Sequence, residues 1–451
     1  MDKALAKYAE TRAPRYTSYP TAAQFGPGVG ATEARTWLGA LAPSQPVSVY
    51  LHVPFCKEIC WYCACNMKLG RRPELLRAYE ADLVAELELI AAAAPEGLQV
   101  ARIHWGGGTP TSLPLDALTR VTAELNTLFN VTRDCETAFE IDPRTFEPGM
   151  AEGLAALGTG RASLGVQEFD PRVQAAVNRI QPVEMVAQVV AELRAAGIGA
   201  INFDLIYGLP HQSVETITRT IDETVKLGPS RIALFGYAHV PWMSKRQRML
   251  PEAALPSAAE RFAQAETAAE RLVAAGYVRV GLDHFALPDD GLARALRDRR
   301  LLRNFQGYTD DPVETVIGAG ATAISAVPGG YYQNIGETGA WAREVRAGCL
   351  PVHRGVAVTP DDRLRRAVIS ELMCYLDVDL GRFCRAHDLP EGALDADLQT
   401  VQDFVDDGLA EIVGRRLRIT DRGRPAMRVI AAAFDTHLRA ASETRRHAVA
   451  V

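Results

Sequence analysis

Tyr50-Leu-His-Val-Pro-Phe-Cys56-Lys-Glu-Ile-Cys60-Trp-Tyr-Cys63-Ala-Cys65 is the stretch from which the rest of the chain is read. It places four of the chain's eight cysteines within ten residues. The apolar run 47–53 before them has the length and composition of a strand, and Pro54 interrupts it. The cysteines are therefore expected on a loop leaving the carboxyl end of a strand. Cys56, Cys60 and Cys63 are separated by three and then two residues. Three ligands on one short loop suit a cubane iron–sulfur cluster whose fourth iron stays open for a small molecule. Two other readings stand beside this one. Positions i, i+4 and i+7 share one helix face, which would make the thiols a packing stripe, although Pro54 and the aromatic residues argue against a buried helix. With Cys65 as a fourth ligand, the loop would instead suit zinc.

Composition favours metal over disulfide. The chain has 451 residues, 48% of them apolar and 23% charged, as expected of a globular protein with a large core and more than one domain. A formal net charge of -6 gives no overall attraction to nucleic acid or anionic membrane. The first residues, Met1-Asp-Lys-Ala-Leu-Ala-Lys7, lack the apolar core of a signal peptide, and no apolar run is long enough to span a bilayer. The expectation is a cytosolic protein, where thiols stay reduced. Cys135, Cys349, Cys374 and Cys384 are scattered among apolar neighbours and are expected to be inert buried thiols.

Outward from the cysteine loop the chain alternates. Runs at 47–53, 100–105, 136–141, 162–166, 201–206 and 232–236 have strand length, and the stretches between them carry helical spacing, as in Leu76, Leu83, Leu87 and Ile90. Six strand–helix repeats predict an α/β fold with a parallel sheet, as a complete or partial barrel or a doubly wound sheet. Both architectures gather their chemistry at the carboxyl ends of the strands. Those ends read Cys56–Cys65, Gly106-Gly-Gly-Thr109, Glu140-Ile-Asp142, Gln167, Asp204 and Ala238-His239. Residues 1–45, with Arg15-Tyr-Thr-Ser-Tyr-Pro-Thr21, suit an ordered arm on a larger body. Between 277 and 340 the pattern weakens to loop and glycine-rich turn material, including 303–309 and 317–325. From 341 the spacing is mostly helical, with a short hairpin at 410–420 and a final helix at 421–440. The expected division is an arm at 1–45, a catalytic domain at 46–345 and a helical C-terminal domain at 346–451.

The cysteine spacing after a first strand, with the glycine run after the second, resembles the radical S-adenosylmethionine superfamily. The motifs Arg15-Tyr-Thr-Ser-Tyr-Pro-Thr, Cys63-Ala-Cys65-Asn66, His104-Trp-Gly-Gly-Gly-Thr-Pro-Thr111, Glu140-Ile-Asp-Pro-Arg144, Asp204-Leu-Ile-Tyr-Gly-Leu-Pro210 and Asn304-Phe-Gln-Gly-Tyr308 further resemble the oxygen-independent coproporphyrinogen III oxidase family, and the likeness covers nearly the whole chain. The resemblance implies a partial (β/α)6 barrel with parallel strands and a winged-helix-like C-terminal domain. It implies a 4Fe–4S cluster held by Cys56, Cys60 and Cys63, and two molecules of S-adenosylmethionine. An electron from the cluster would cleave the sulfonium to a 5'-deoxyadenosyl radical. Two propionates of coproporphyrinogen III would then become vinyl groups, giving protoporphyrinogen IX for haem synthesis. Tyr50, Tyr62, Gly107, Gly108, Thr109, Glu140, Gln167, Arg179, Asp204, Ala238 and Ile324 match the family's cofactor positions, with Glu140 and Arg179 on the first cofactor. Cys65 matches a family cysteine that is not a cluster ligand and is the expected catalytic residue, as proton donor or substrate contact. Arg161, Arg303 and the C-terminal arginines are candidates for the substrate's four carboxylates. The remaining partners implied are an electron donor for the cluster and an electron acceptor, for a monomer with no nucleic-acid or membrane role.

Two rivals are weighed. A haem-binding chaperone of the same family would share the three-cysteine loop but lack the counterpart of Cys65 and the N-terminal arm, both of which are present. A DNA-reading regulator would use the C-terminal hairpin, flanked by Arg415, Arg416 and Arg418, but Asp403, Asp406, Asp407 and Glu411 beside it repel phosphate.

Overall fold

The computed structural model describes residues 3–8 and 11–440. Residues 1, 2, 9 and 10 of the expected arm, and 441–451 of the expected C-terminal domain, lie outside the described residues. All six expected strands are present, here β1 Val47–Val53, β2 Gln99–Gly107, β3 Asn130–Ile141, β4 Thr159–Gln167, β5 Ala200–Tyr207 and β6 Arg231–Gly236. They pair in parallel in chain order. Each crossover contains a helix, such as Pro73–Ala93, Leu115–Leu128 and Val214–Leu227. Ser213 caps the last of these, its hydroxyl accepting from the Thr216 N–H, and Gly228 ends it at φ 62°. Alternation along the strands explains why two faces differ. Val49, Leu51, Val53, Trp105, Phe139, Leu164 and Phe203 are fully buried against the helices. The intervening residues Tyr50, His104, Glu140, Ser163 and Asp204 face the other way and build the site.

The region 277–357 corrects the sequence reading. Where loops and glycine-rich turns are expected at 277–340, and mostly helical chain from 341, short strands extend the sheet at both edges. Four lie beyond β1: β7 Val316–Ala319, β8 Ile324–Val327, β9 Gly330–Asn334 and β10 Val352–Ala357. The sheet runs β10-β9-β8-β7-β1-β2-β3-β4-β5-β6, and His284–Ala286 and Val278–Val280 complete the far edge. β7 is parallel to β1, and β8, β9 and β10 follow antiparallel. The expected loop at 303–309 is a hairpin of Leu302–Asn304 and Gly307–Thr309. The sheet thus continues past the expected boundary at 345. Buried Glu86 clamps this edge to helix Pro73–Ala93, accepting from the Gly320 N–H, Trp341 Nε1 and Asn334 Nδ2.

After β10, helix Pro360–Tyr375 begins a second core around Leu364, Val368, Leu372, Met427 and Phe434. The hairpin at 410–419 is present, and Asp377–Asp379 joins it as a third strand. The single helix expected at 421–440 is instead four short turns, because Pro425 removes a donor near its start and Asp435 adopts an extended conformation. The N-terminal arm binds this unit. Tyr16 Oη donates to Asp435 Oδ2 at 3.0 Å, and Tyr19 Oη lies 3.0 Å from Thr436 Oγ1. No helix of the described residues is long and apolar enough to cross a membrane.

Candidate functional site

Pro54 ends β1, and the chain then runs through Phe55–Cys56, which pairs briefly with Lys68–Leu69. The loop between them holds the cysteines, all of them free thiols. Cys60 is buried, and its sulfur accepts from Arg144 Nη2 at 3.3 Å and Arg179 Nη1 at 3.2 Å. Cys56 accepts from Thr109 Oγ1 at 3.5 Å, and Cys63 accepts from the Cys65 N–H at 3.4 Å. Burial pushes the Cys56 thiol up to about 11, whereas the hydrogen bond from Cys65 brings Cys63 down to about 6 against the effect of burial. Cys65 is exposed at the edge of the mouth. Among the described residues no three His, Cys, Asp or Glu side chains converge as ligands of a single ion.

The glycine run after β2 is shaped by close approach. A Cβ on Gly106 would stand 2.7 Å from Glu140 Oε1, and one on Gly108 would stand 2.8 Å from the Phe55 carbonyl oxygen. Gly107 adopts φ 118° and would press a Cβ to 2.8 Å from the His52 ring. Its N–H is then free to donate to Glu140 Oε2 at 3.1 Å. Gly107→Ala is expected to cost about 1–3 kcal/mol through backbone strain and to displace the Glu140 carboxylate that its N–H holds. Denaturant unfolding checks this, and wild-type stability would refute it.

Register sets the rest. Tyr50 lies opposite His104, and their rings stack at 5.8 Å. His104 Nε2 is 3.1 Å from Glu140 Oε1, while Tyr50 Oη meets His52 Nδ1 at 3.0 Å. Burial drives Tyr50 well above the usual phenol range and His52 down to about 4, so both are neutral at physiological pH. Asp204 accepts from Asn202 Nδ2 and Ser163 Oγ, and burial together with the facing Glu140 charge raises it to about 6. Gln167 ends β4 at φ 67°. Tyr62 packs near Val173, Val177 and Tyr237, and its carbonyl accepts from Gln247 Nε2, which also donates to the Ala238 carbonyl. Ile324 begins β8 and packs with Tyr50 against Phe25 and Tyr331.

The expected site residues thus gather at one end of the sheet. The Arg179 guanidinium bonds Asp142, Cys60 and the Gly165 carbonyl, with Asp142 standing beyond the β3 end on the cysteine-loop side. The sequence reading assigned no role to Asp142, Arg144, Asn202 or Ser163. The first two lie inside the Glu140–Arg144 motif, two and four residues past the acid. Among the carboxylate candidates, Arg161 lies near the amino end of β4 and bonds Glu136 and Asp290. Arg415 and Arg416 are occupied by Asp395 and Asp377.

The chemistry of this donor set fits an anionic sulfur cluster, since two guanidiniums already hydrogen-bond a loop sulfur and would compensate the charge of a bound cluster. It equally fits a zwitterionic cofactor, with the Glu140 carboxylate beside backbone exposed by glycines. Comparison with known proteins bears on both. The family model of the Radical SAM superfamily matches residues 50–224, and that of the HemN C-terminal domain matches 358–426. An oxygen-independent coproporphyrinogen III oxidase of Bradyrhizobium diazoefficiens is 45% identical over 442 residues, 98% of each chain. The chain belongs to the oxygen-independent coproporphyrinogen III oxidase family. The Escherichia coli relative of the same name is 37% identical, over 97% of this chain and 96% of its own. A solved structure of the E. coli coproporphyrinogen III oxidase (HemN), described as a radical SAM enzyme, matches with a TM-score of 0.91 at 36% identity, covering 97% of this chain and 99% of that one. As a radical SAM enzyme of this family, the protein uses a 4Fe–4S cluster and S-adenosylmethionine.

Proposed function

We propose that this chain converts two propionates of coproporphyrinogen III to vinyl groups without oxygen, giving protoporphyrinogen IX. The observation that carries the reading is a single mouth, in a chain similar end to end to enzymes of that name, where the three-cysteine loop, the glycine run, Glu140 and Asp204 meet. When bound, the cluster and S-adenosylmethionine supply an electron and a 5'-deoxyadenosyl radical that takes a hydrogen atom from the propionate carbon next to the ring. Each propionate would then give up carbon dioxide and one electron, the electron passing to a separate acceptor.

In this reading Cys56, Cys60 and Cys63 hold the cluster, and Arg144 and Arg179 steady the Cys60 sulfur. Tyr50, Gly107, Glu140 and Ile324 bind one S-adenosylmethionine. Tyr62, Gly108, Thr109, Gln167, Asp204 and Ala238 extend the surface to a second. Neutral His52 fixes the Tyr50 hydroxyl, and Ser163 with Asn202 orients the Asp204 carboxylate. Cys65, at the edge of the mouth, contacts the substrate. The chain divides into an arm at 1–45, a catalytic domain and a C-terminal unit, with the last boundary moved from 345 to about 358, where the main sheet ends. The protein acts as a monomer with a separate electron donor.

Anaerobic turnover with product analysis tests the reaction. Cys65→Ser is expected to keep the cluster's visible absorbance and lose decarboxylation. A fully active Cys65→Ser would remove the special role of Cys65. Haem binding without turnover, in cluster-loaded wild-type protein, would replace the enzyme reading with that of a chaperone.

A further inference from the structure

A cavity of about 310 Å³ opens beside the mouth, beyond the ends of β5 and β6. Its volume falls within the range of small-molecule sites. Ala238 and Gly236 lie in its wall, so it adjoins the proposed cofactor surface. Its floor is apolar and aromatic, including Leu234, Phe235 and Phe285. Its charged groups are unusual: six arginines, Arg12, Arg15, Arg261, Arg279, Arg303 and Arg428, against two carboxylates, Glu266 and Asp283.

Those arginines come from three separated segments. Arg12 and Arg15 belong to the arm, Arg261, Arg279 and Arg303 to the catalytic domain, and Arg428 to the C-terminal unit. The two carboxylates offset only part of this charge. Glu266 is held by Arg279, and Asp283 bonds the adjacent His284 and stands 4.0 Å from Arg303. The Arg303 side chain is only 4% exposed, yet its Nη1, which faces Asp283 at the limit of ion-pair distance, has no hydrogen-bond partner. Its other nitrogens donate to the Arg15 carbonyl, and its plane covers the Tyr308 ring. Buried Arg261 Nε is likewise unpartnered, while Nη2 donates to the Tyr237 carbonyl. Burial, with the Arg15 and Arg303 charges nearby, lowers Arg428 to about 10. Like charges gathered around buried donors without hydrogen-bond partners, at Arg303 Nη1 and Arg261 Nε, favour an anionic ligand.

We propose that this cavity is the binding site for the carboxylates of the tetrapyrrole, with buried Arg303 and half-buried Arg261 as anchors and Arg12 and Arg15 closing over them from the arm. The proposal rests on the reaction assigned above and adds the residues that select a tetracarboxylate. An apolar floor suits the pyrrole faces, and guanidinium forks suit carboxylates. It also gives the arm and the C-terminal unit a purpose, since the charge cluster exists only when both are docked on the sheet.

The test is titration of coproporphyrin III, a tetracarboxylate, and protoporphyrin IX, a dicarboxylate of the same ring, into the cluster-loaded full chain, followed by the porphyrin absorbance. Wild-type protein is expected to prefer coproporphyrin III, and the preference should fall with salt. Arg303→Gln and Arg261→Gln should each weaken coproporphyrin III binding by about 10- to 100-fold, the loss of one charge-assisted contact, with a smaller effect on protoporphyrin IX. Arg12→Gln, on the exposed arm and outside the core, should show the same selectivity loss with a smaller amplitude, so a folding defect at Arg303 does not decide the matter. Coproporphyrin III affinity unchanged in both Arg303→Gln and Arg12→Gln overturns the site. Wild-type protein that binds coproporphyrin III selectively but forms no protoporphyrinogen would refute the assigned reaction and leave the site standing. Turnover with variant affinities equal to wild type would do the reverse.

Discussion

Cys60→Ser is expected to abolish both the brown absorbance of the cluster and all turnover. Soft thiolate sulfur is what iron–sulfur clusters require, and a serine hydroxyl neither ionises near neutral pH nor matches that softness. The position gives the substitution further weight. The Cys60 sulfur is buried and takes one N–H from Arg144 and one from Arg179. A neutral hydroxyl there would leave both guanidiniums facing a poor acceptor, so the loop loses its electrostatic anchor as well as a ligand. Iron and sulfide content after anaerobic reconstitution, with the visible spectrum and product formation, measures the effect. Exposed Cys349 serves as the control, and its serine variant should retain wild-type iron. A Cys60→Ser protein with full iron content would mean that Cys65 belongs to the ligand set, which is the zinc-like four-cysteine reading of the loop.

The strands that carry this chemistry were legible because each is a continuous apolar run followed by a polar or glycine-rich end. β1 to β6 need no information beyond that period and that punctuation. β7, β8 and β9 escaped the same reasoning because strands of four or five residues, such as Gly330–Asn334, have too little length to display a period, and β10 carries His353 and Arg354 in place of a continuous apolar run. The 421–440 segment misled for a different reason. Its apolar residues do lie at helical spacing, but they pack as separate turns against helix Pro360–Tyr375, so tertiary contacts overrode the local pattern. Within the site, Glu140 and Asp204 stood out as acids at strand ends. Asp142 did not, because its importance lies in two arginines that the fold brings to it from residues 144 and 179. The arginine cavity is the extreme case. Arg12, Arg261, Arg303 and Arg428 are far apart in the sequence, and only the docking of three segments makes them neighbours.

Asp142 is where this hidden order has its largest consequence. Its side chain is 8% exposed and lies between Arg144, 5% exposed, and Arg179, 7% exposed. Arg144 bonds both carboxylate oxygens, at 3.0 Å and 2.6 Å, and Arg179 reaches them at 3.2 Å and 3.4 Å. The same two arginines then reach Cys60. Asp142 therefore sets the position of the groups that hold a proposed cluster ligand without touching the sulfur itself. Asp142→Asn keeps the shape and removes the charge, leaving two buried cations without their carboxylate. Breaking a buried pair in this way costs about 3–5 kcal/mol, to be read by denaturant unfolding. Burial alone would raise the Asp142 pKa, but Arg179 and Arg144 outweigh it and hold the folded-state value below the usual carboxylate range. The charge consequently stabilises the fold fully above about pH 4, the unfolded value, and that stability is lost as pH falls through the lower folded value. Wild-type protein should lose stability on acidification below that point more steeply than Asp142→Asn, whose curve lacks this contribution. The variant should also take up less iron on reconstitution, because Arg144 and Arg179 are no longer aimed at Cys60. Wild-type stability and iron content in Asp142→Asn would show that the two guanidiniums are held by Glu58 and the Gly165 carbonyl alone, and that the carboxylate does not organise the cluster loop.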